Sequence, residues 1–185
     1  MHIDRKPSTV MTVINRIYQP IAQDFGISLS LRNEINSELQ FPPRFFVNVI
    51  QITGNLVANA IKFTSSAGLV DVVFKMKENE GYRTLYVNVS DNGNIISPEL
   101  VLAINRTNRD VKMMSKRLEE YLGSRLEYVL HLVAEEGGRL LVKSENSSGT
   151  TFSMSLPLKN NYMIQRNGYH SIIENGAVLL NESLN

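Results

Sequence analysis

The helical stretch that ends in QITGNLVANAIKFT (residues 51–64) constrains the fold more than any other part of the chain. From Phe45 to Phe63, the apolar side chains Phe46, Val49, Ile50, Leu56, Val57, Ala60 and Ile61 recur at helical spacing and cover much of one face. The Pro42-Pro43 pair marks the start, because a proline in the first turn forfeits no intrahelical hydrogen bond. Gly54 is a mild flaw in the interior. A helix this apolar on one side has to be buried against a second layer.

That second layer reads as strands. Ile27, Leu29 and Leu31 alternate after Gly26. Leu69–Met76 and Thr84–Val89 alternate on either side of the polar turn at 78–81, which is a hairpin pattern. Arg139–Lys143 and Thr151–Leu156 form another pair around the turn SENSSG. Helical spacing returns at 8–24, where Val10, Val13, Ile14, Ile17 and Ile21 follow a Ser/Thr cap and Pro20 predicts a kink or break near Tyr18. Residues 91–98 read as a loop. Residues 99–122 read as one or two basic helical pieces, with apolar positions at Leu100, Ala103, Ile104, Val111, Met114 and Leu118. Leu126–Glu135 is a further helix, stopped by Gly137-Gly138. Such an order predicts an α+β sandwich, a mixed and mostly antiparallel sheet of about five strands packed against about three helices. The domain spans 8–158, after a linker remnant at 1–7. The tail at 159–185 is polar, and Asn175-Gly176 between apolar runs predicts an extra hairpin at 171–180.

At 185 residues, 43% apolar and 20% charged, the chain is long enough to bury a full core. The absence of cysteine excludes a disulfide framework and a thiolate metal site. A formal charge of +1 leaves no footprint for a nucleic acid or an anionic membrane. No apolar stretch approaches the roughly 18–20 residues that cross a bilayer, and the polar start is no signal peptide. These features predict a cytoplasmic domain without membrane insertion of its own, whatever anchors a parent protein in the inner membrane.

Three blocks carry chemistry. In the first, Asn55 and Asn59 lie one turn apart and stack on one helix face, with Lys62 a turn further on, where an ammonium can meet a phosphate. Two asparagines on a helix are by default polar surface, but that does not account for the whole pattern from Gln51 to Thr64. The second block is VNVSDNGNIISPE (87–99), a strand that ends in Asp91 and is followed by Gly93 and Ile95; by itself it reads as a turn that closes a strand. The third is YLGSRLEYVLHLVAEEGGRLLVKSENSSGTTFSMSLPL (121–158), in which a helix, two glycines, a strand and a turn lead to Gly149-Thr150-Thr151-Phe152.

Over roughly residues 8–158, these blocks resemble the ATP-binding catalytic domain of bacterial two-component sensor histidine kinases, whose fold is the histidine-kinase-like (GHKL, Bergerat) ATPase sandwich. The first block is similar to the family's N box and the second to its G1 box, with Ile95 in place of a second glycine. The start of the third is similar to a G2 box in which Gly123 remains and Tyr121 and Arg125 replace the other glycines. The resemblance implies ATP and Mg²⁺ as cofactors. Asn55, Asn59 and Lys62 would handle metal and phosphate, with Asn59 offering Mg²⁺ its carbonyl oxygen, a hard ligand suited to that ion. Asp91 would accept a hydrogen bond from the adenine amino group beside Gly93, Gly123 would belong to the phosphate loop, and Thr150 would lie near adenine. It identifies no catalytic base.

The implied function is transfer of the ATP γ-phosphate to a histidine on a separate phosphoacceptor and dimerisation domain, with a response regulator downstream. A rival reading is a pseudokinase module with weak or no ATP binding that serves as a docking platform. Ile95, the eroded G2 glycines and a basic, helical lid at about 92–124 suit it. A stand-alone protein-serine kinase of the anti-sigma type would need no hairpin, but SENSSGTTFSMSLPL has the histidine-kinase pattern. Of the histidines, His2 has the phosphoacceptor spacing to Pro7, yet the ATPase domain begins within a few residues of it. His131 reads as packing or surface, and His170 lies in the tail.

Overall fold

The computed structural model describes residues 4–35, 38–80, 82–107, 116–146, 148–158, 171–174 and 177–180; for 107, 116–124, 171–174 and 177–180 it describes the backbone alone. His2, His170, Val111, Met114 and the Asn175-Gly176 turn lie outside the described residues. The order is α1 (Pro7–Asp24), β1 (Ser28–Asn33), α2 (Pro43–Phe63), β2 (Leu69–Asn79), β3 (Tyr82–Asp91), α3 (Pro98–Thr107), α4 (Lys116–Glu135), β4 (Arg139–Glu145) and β5 (Gly149–Leu158). Beyond these, β6 (Ser171–Glu174) pairs antiparallel with β7 (Ala177–Leu180) as a separate two-stranded sheet.

The main sheet runs β1-β2-β3-β5-β4; β1 pairs β2 in parallel and every other pair is antiparallel. The parallel pair requires a crossover, which α2 supplies. Strand alternation decides the buried face: Val70, Val72 and Phe74, then Leu85, Val87 and Val89, then Phe152, Met154 and Leu156, then Leu140 and Val142 all face the helical layer. From that layer α2 buries Phe45, Phe46, Val49, Ile52, Leu56, Val57, Ala60 and Ile61. The α+β sandwich expected from the sequence is therefore the observed fold. Among the described residues, no helix is long and apolar enough to cross a membrane.

Several local expectations change. α1 runs unbroken through Pro20 to Asp24, since Val10, Ile14 and Ala22 bury the opposite face and Pro20 is exposed. Ile17 and Ile21, expected on the apolar stripe, are 48% and 40% exposed. α4 (Lys116–Glu135) joins the end of the basic helical piece read at 99–122 to the helix read from Leu126, with no break at Gly123. Gly54 turns out to serve packing, because a Cβ there would lie 3.0 Å from the Tyr18 hydroxyl of α1. Residues read as linker are also tied down. The Arg5 amide donates to Gln40 Oε1 (2.8 Å), its Nε to the Phe41 carbonyl (2.9 Å), and the Phe41 amide donates back to the Arg5 carbonyl (2.9 Å).

α2 and α4 run in opposite directions. Arg44 of α2 pairs with Glu135 (3.0 Å), Asn48 donates to Glu136 just past α4 (2.5 Å), and the Tyr128 hydroxyl donates to Gln51 Oε1 (2.9 Å). α3 packs on β4, an edge strand. The Asn105 side-chain amide donates to the Val142 carbonyl (3.0 Å) and accepts from the Val142 amide (2.8 Å), so one side chain pairs both outward backbone groups of Val142. Ile104 beside it is fully buried, and Leu100 packs against the core. Asn105→Ala is expected to cost about 1–3 kcal/mol in urea unfolding, the penalty for leaving buried partners unpaired, and to speed hydrogen exchange at the Val142 amide. Unchanged stability together with unchanged exchange would show that α3 is held by packing alone.

Candidate functional site

The site is built where β3 ends. β3 occupies the middle of the sheet, so its last residue, Asp91, emerges beneath the end of α2 with only 6% of its surface exposed. Two glycines permit that crowding. A Cβ at Gly93 would stand 2.3 Å from the Phe63 carbonyl oxygen, and a Cβ at Gly149 would stand 2.0 Å from the Asp91 carbonyl oxygen. Gly149 also has φ +75, a left-handed conformation that favours glycine. The Asn94 amide donates to the Phe63 carbonyl (3.0 Å), which fixes the 92–97 loop to the last turn of α2.

Burial pushes the Asp91 carboxyl above the ordinary carboxylate range, and the backbone N–H groups of Gly93 and Thr150 pull it partly back. The Gly93 bond measures 2.9 Å to Oδ1. Thr150, 2% exposed, faces Asp91 across the β3–β5 pairing. Its hydroxyl donates to the Asn94 carbonyl (3.3 Å) and shares a 2.8 Å bond with Ser144 Oγ, which accepts from the Ile96 amide (2.8 Å). The loop and the β4–β5 hairpin are thus joined by a chain of hydroxyls. Ser144 was not singled out in the sequence, although the hairpin register places it directly opposite Thr150.

The polar face of α2 borders the same loop. Asn55 is half-buried and donates Nδ2 to the Gln51 carbonyl (2.8 Å). Asn59 is half-buried, and its side chain has no hydrogen-bond partner among the described residues. Lys62 is exposed, with its ammonium 5.0 Å from the centre of the exposed Phe63 ring. Asp91, Gly93 and Thr150 therefore come together at the end of β3, and the loop they share abuts the helix that carries Asn55, Asn59 and Lys62. Gly123 is placed differently. It lies inside α4, seven residues beyond Lys116, and not in a loop or at a helix start. His131, on the same helix, is exposed and 3.4 Å from Glu135.

These residues fit an adenine ring better than they fit a metal on its own. A buried carboxylate can accept a hydrogen bond from the amino group on the edge of a base. Among the described residues, no group of three or more acidic or histidine side chains is arranged to hold a metal ion. The free carbonyl of Asn59 suits Mg²⁺ only where phosphate oxygens complete the shell, which is the usual way that ion is held.

Residues 47–160 match the family described as histidine kinase-, DNA gyrase B-, and HSP90-like ATPase. The autoinducer 2 sensor kinase/phosphatase LuxQ of Vibrio vulnificus is 33% identical over 153 residues, covering 80% of this chain and 17% of that protein. The sensor histidine kinase WalK of Bacillus subtilis is 29% identical over 112 residues, covering 60% of this chain and 18% of that protein. The chain thus spans 17–18% of the length of these curated relatives. The catalytic domain of histidine kinase ThkA shares the fold at 18% identity, with a TM-score of 0.61 over 82% of this chain and 91% of that one. With the mixed sheet, the helical layer and the matched blocks in agreement, the chain belongs to the histidine kinase-, DNA gyrase B- and HSP90-like ATPase family.

Proposed function

We propose that this chain is the ATP-binding catalytic domain of a cytoplasmic sensor histidine kinase segment. In this reading it presents the γ-phosphate of ATP to a histidine on a separate dimerisation domain, from which a response regulator takes it. The observation that carries the reading is Asp91: a carboxylate kept buried at the end of β3 at a cost in solvation, in the crowded junction of loop, helix and hairpin. Bound ATP would supply the phosphoryl group, and the work of this chain would be positioning and charge stabilisation. Asp91 would select the base, with Thr150 and Gly93 holding its surroundings. Asn55, Asn59 and Lys62 would face the phosphate tail, with Asn59 the one protein ligand to Mg²⁺. A second reading, a pseudokinase docking module with weak ATP binding, is favoured by the position of Gly123 within α4.

Asp91→Asn is expected to weaken ATP binding by about 1–3 kcal/mol, the cost of a mispaired buried group, as measured by titration calorimetry. The accompanying stability change has the opposite sign. Because the folded carboxyl titrates above its unfolded value, the stability it contributes is present in acid and is lost as pH rises through the folded-state value. The substitution removes that penalty, so the melting temperature at pH 7 is expected to hold or rise. ATP binding indifferent to Asp91→Asn would remove the adenine-selecting role. With γ-labelled ATP, the chain alone is expected to acquire no acid-labile label. Label that disappears in His2→Ala or His131→Ala would show that the acceptor lies in this chain rather than on a separate domain.

A further inference from the structure

The hydroxyls of Ser144 and Thr150 are held in one direction by the groups at either end of their chain. The Ile96 amide can only donate, so Ser144 Oγ accepts from it at 2.8 Å. The Asn94 carbonyl can only accept, so the single hydroxyl proton of Thr150 goes there, at 3.3 Å. The 2.8 Å bond between the two hydroxyls is then donated by Ser144 and accepted by Thr150. Both hydroxyl protons are committed, and the chain begins and ends on the same short stretch of backbone. It closes a ring around Asn94-Ile95-Ile96.

The ring is anchored on every side. Ser144 and Thr150 stand opposite each other in the β4–β5 pairing, and Thr150 is buried. Across the loop, the Asn94 amide is bonded to the Phe63 carbonyl at the end of α2 (3.0 Å). Directly after Ile96, the Ser97 carbonyl accepts from the Val101 amide (3.0 Å) and starts α3. At the other end of α3, Asn105 grips Val142, two residues before Ser144 on β4. Ile95, in the middle of the ring, lacks the backbone freedom that glycine would have there. We propose that Ser144 is a positioning residue of the nucleotide site, whose hydroxyl holds Asn94–Ile96 in its working shape before a nucleotide arrives. This rests on the nucleotide-binding reading above, in which Ser144 acts through Thr150 and the loop rather than on the base. A loop ordered in advance spares the ligand the entropy of ordering it, and affinity rises accordingly.

Ser144→Ala removes both the acceptor for the Ile96 amide and the donor to Thr150. On the whole chain, it is expected to weaken ATP binding about tenfold by titration calorimetry, and to speed hydrogen exchange at the Ile96 amide about as much. Ser144→Thr restores a hydroxyl in a strand, where threonine is well accommodated, and is expected to bring both quantities back to within about twofold of the wild type. Asn105→Ala is the control for a merely structural role, because it loosens the same strand without touching the ring. Its ATP affinity is expected to stay within about twofold of the wild type. Equal ATP binding by the wild type and Ser144→Ala would overturn the positioning role and leave the nucleotide reading standing. So would a loss in Asn105→Ala as large as that in Ser144→Ala, or a failure of Ser144→Thr to restore binding. An Ile96 amide that exchanges freely in the ligand-free wild type and slows only with ATP would also overturn it, since the ligand would then order the loop. A wild-type chain that binds no ATP would overturn the nucleotide reading and this inference with it.

Discussion

The structure depends on backbone touching backbone at the end of β3. The turn into β5 passes so close to Asp91 that no Cβ fits at Gly149, and the loop after Asp91 passes so close to the last turn of α2 that none fits at Gly93. These two approaches bring sheet, helix and hairpin into one junction. With no side chains between the segments, water is kept from the Asp91 carboxylate, and its remaining partners are amides of neighbouring chain. In the proposed reading, the base-binding role of Asp91 follows from this crowding, because an exposed carboxylate would gain little by meeting a base. Gly68 belongs to the same arrangement: a Cβ there would lie 2.1 Å from the Thr64 side chain, so the turn after α2 is equally tight.

In the proposed reading, the two ends of the site come from different layers and obey different rules. The base end is made of strand ends and a short loop, held by sheet register and by the hydroxyl chain through Ser144 and Thr150. A change in register would disrupt all of it together. The proposed phosphate end is the polar face of α2, where Asn55 and Asn59 are half-buried and Lys62 is exposed.

Much of this was legible in the sequence because the signals were local and periodic. The alternation at Leu69–Met76 and Thr84–Val89, the apolar face from Phe46 to Ile61 and the Gly137-Gly138 stop each specify one element, and each element formed. Asp91, Gly93 and Thr150 were found by motif, and they meet because their strands are neighbours in the sheet. What was not legible depended on tertiary context. Pro20 would break an isolated helix, but α1 is held by the burial of Val10, Ile14 and Ala22 on its other side. The basic helical piece read up to residue 122 and the helix read from Leu126 are joined in α4, because a single interior glycine such as Gly123 weakens a helix by only about 1 kcal/mol and does not end it. Ser144 was passed over as an ordinary turn residue, and Asn105 as one polar residue in a basic stretch. The roles of both come from strands or helices distant in sequence.

Asn105 has a consequence for how copies of this protein meet one another. The outer rim of an edge strand is a row of unmet hydrogen-bonding groups, and any passing strand can extend the sheet there. By taking both groups of Val142 and laying α3 across β4, Asn105 caps that rim, so a second copy approaching edge-on meets a helix instead of a template. The opposite edge, β1, is only six residues long and carries Arg32 in an ion pair with Asp71, features that discourage strand addition by shortness and charge. The sheet is thereby guarded at both ends against growing into the next molecule.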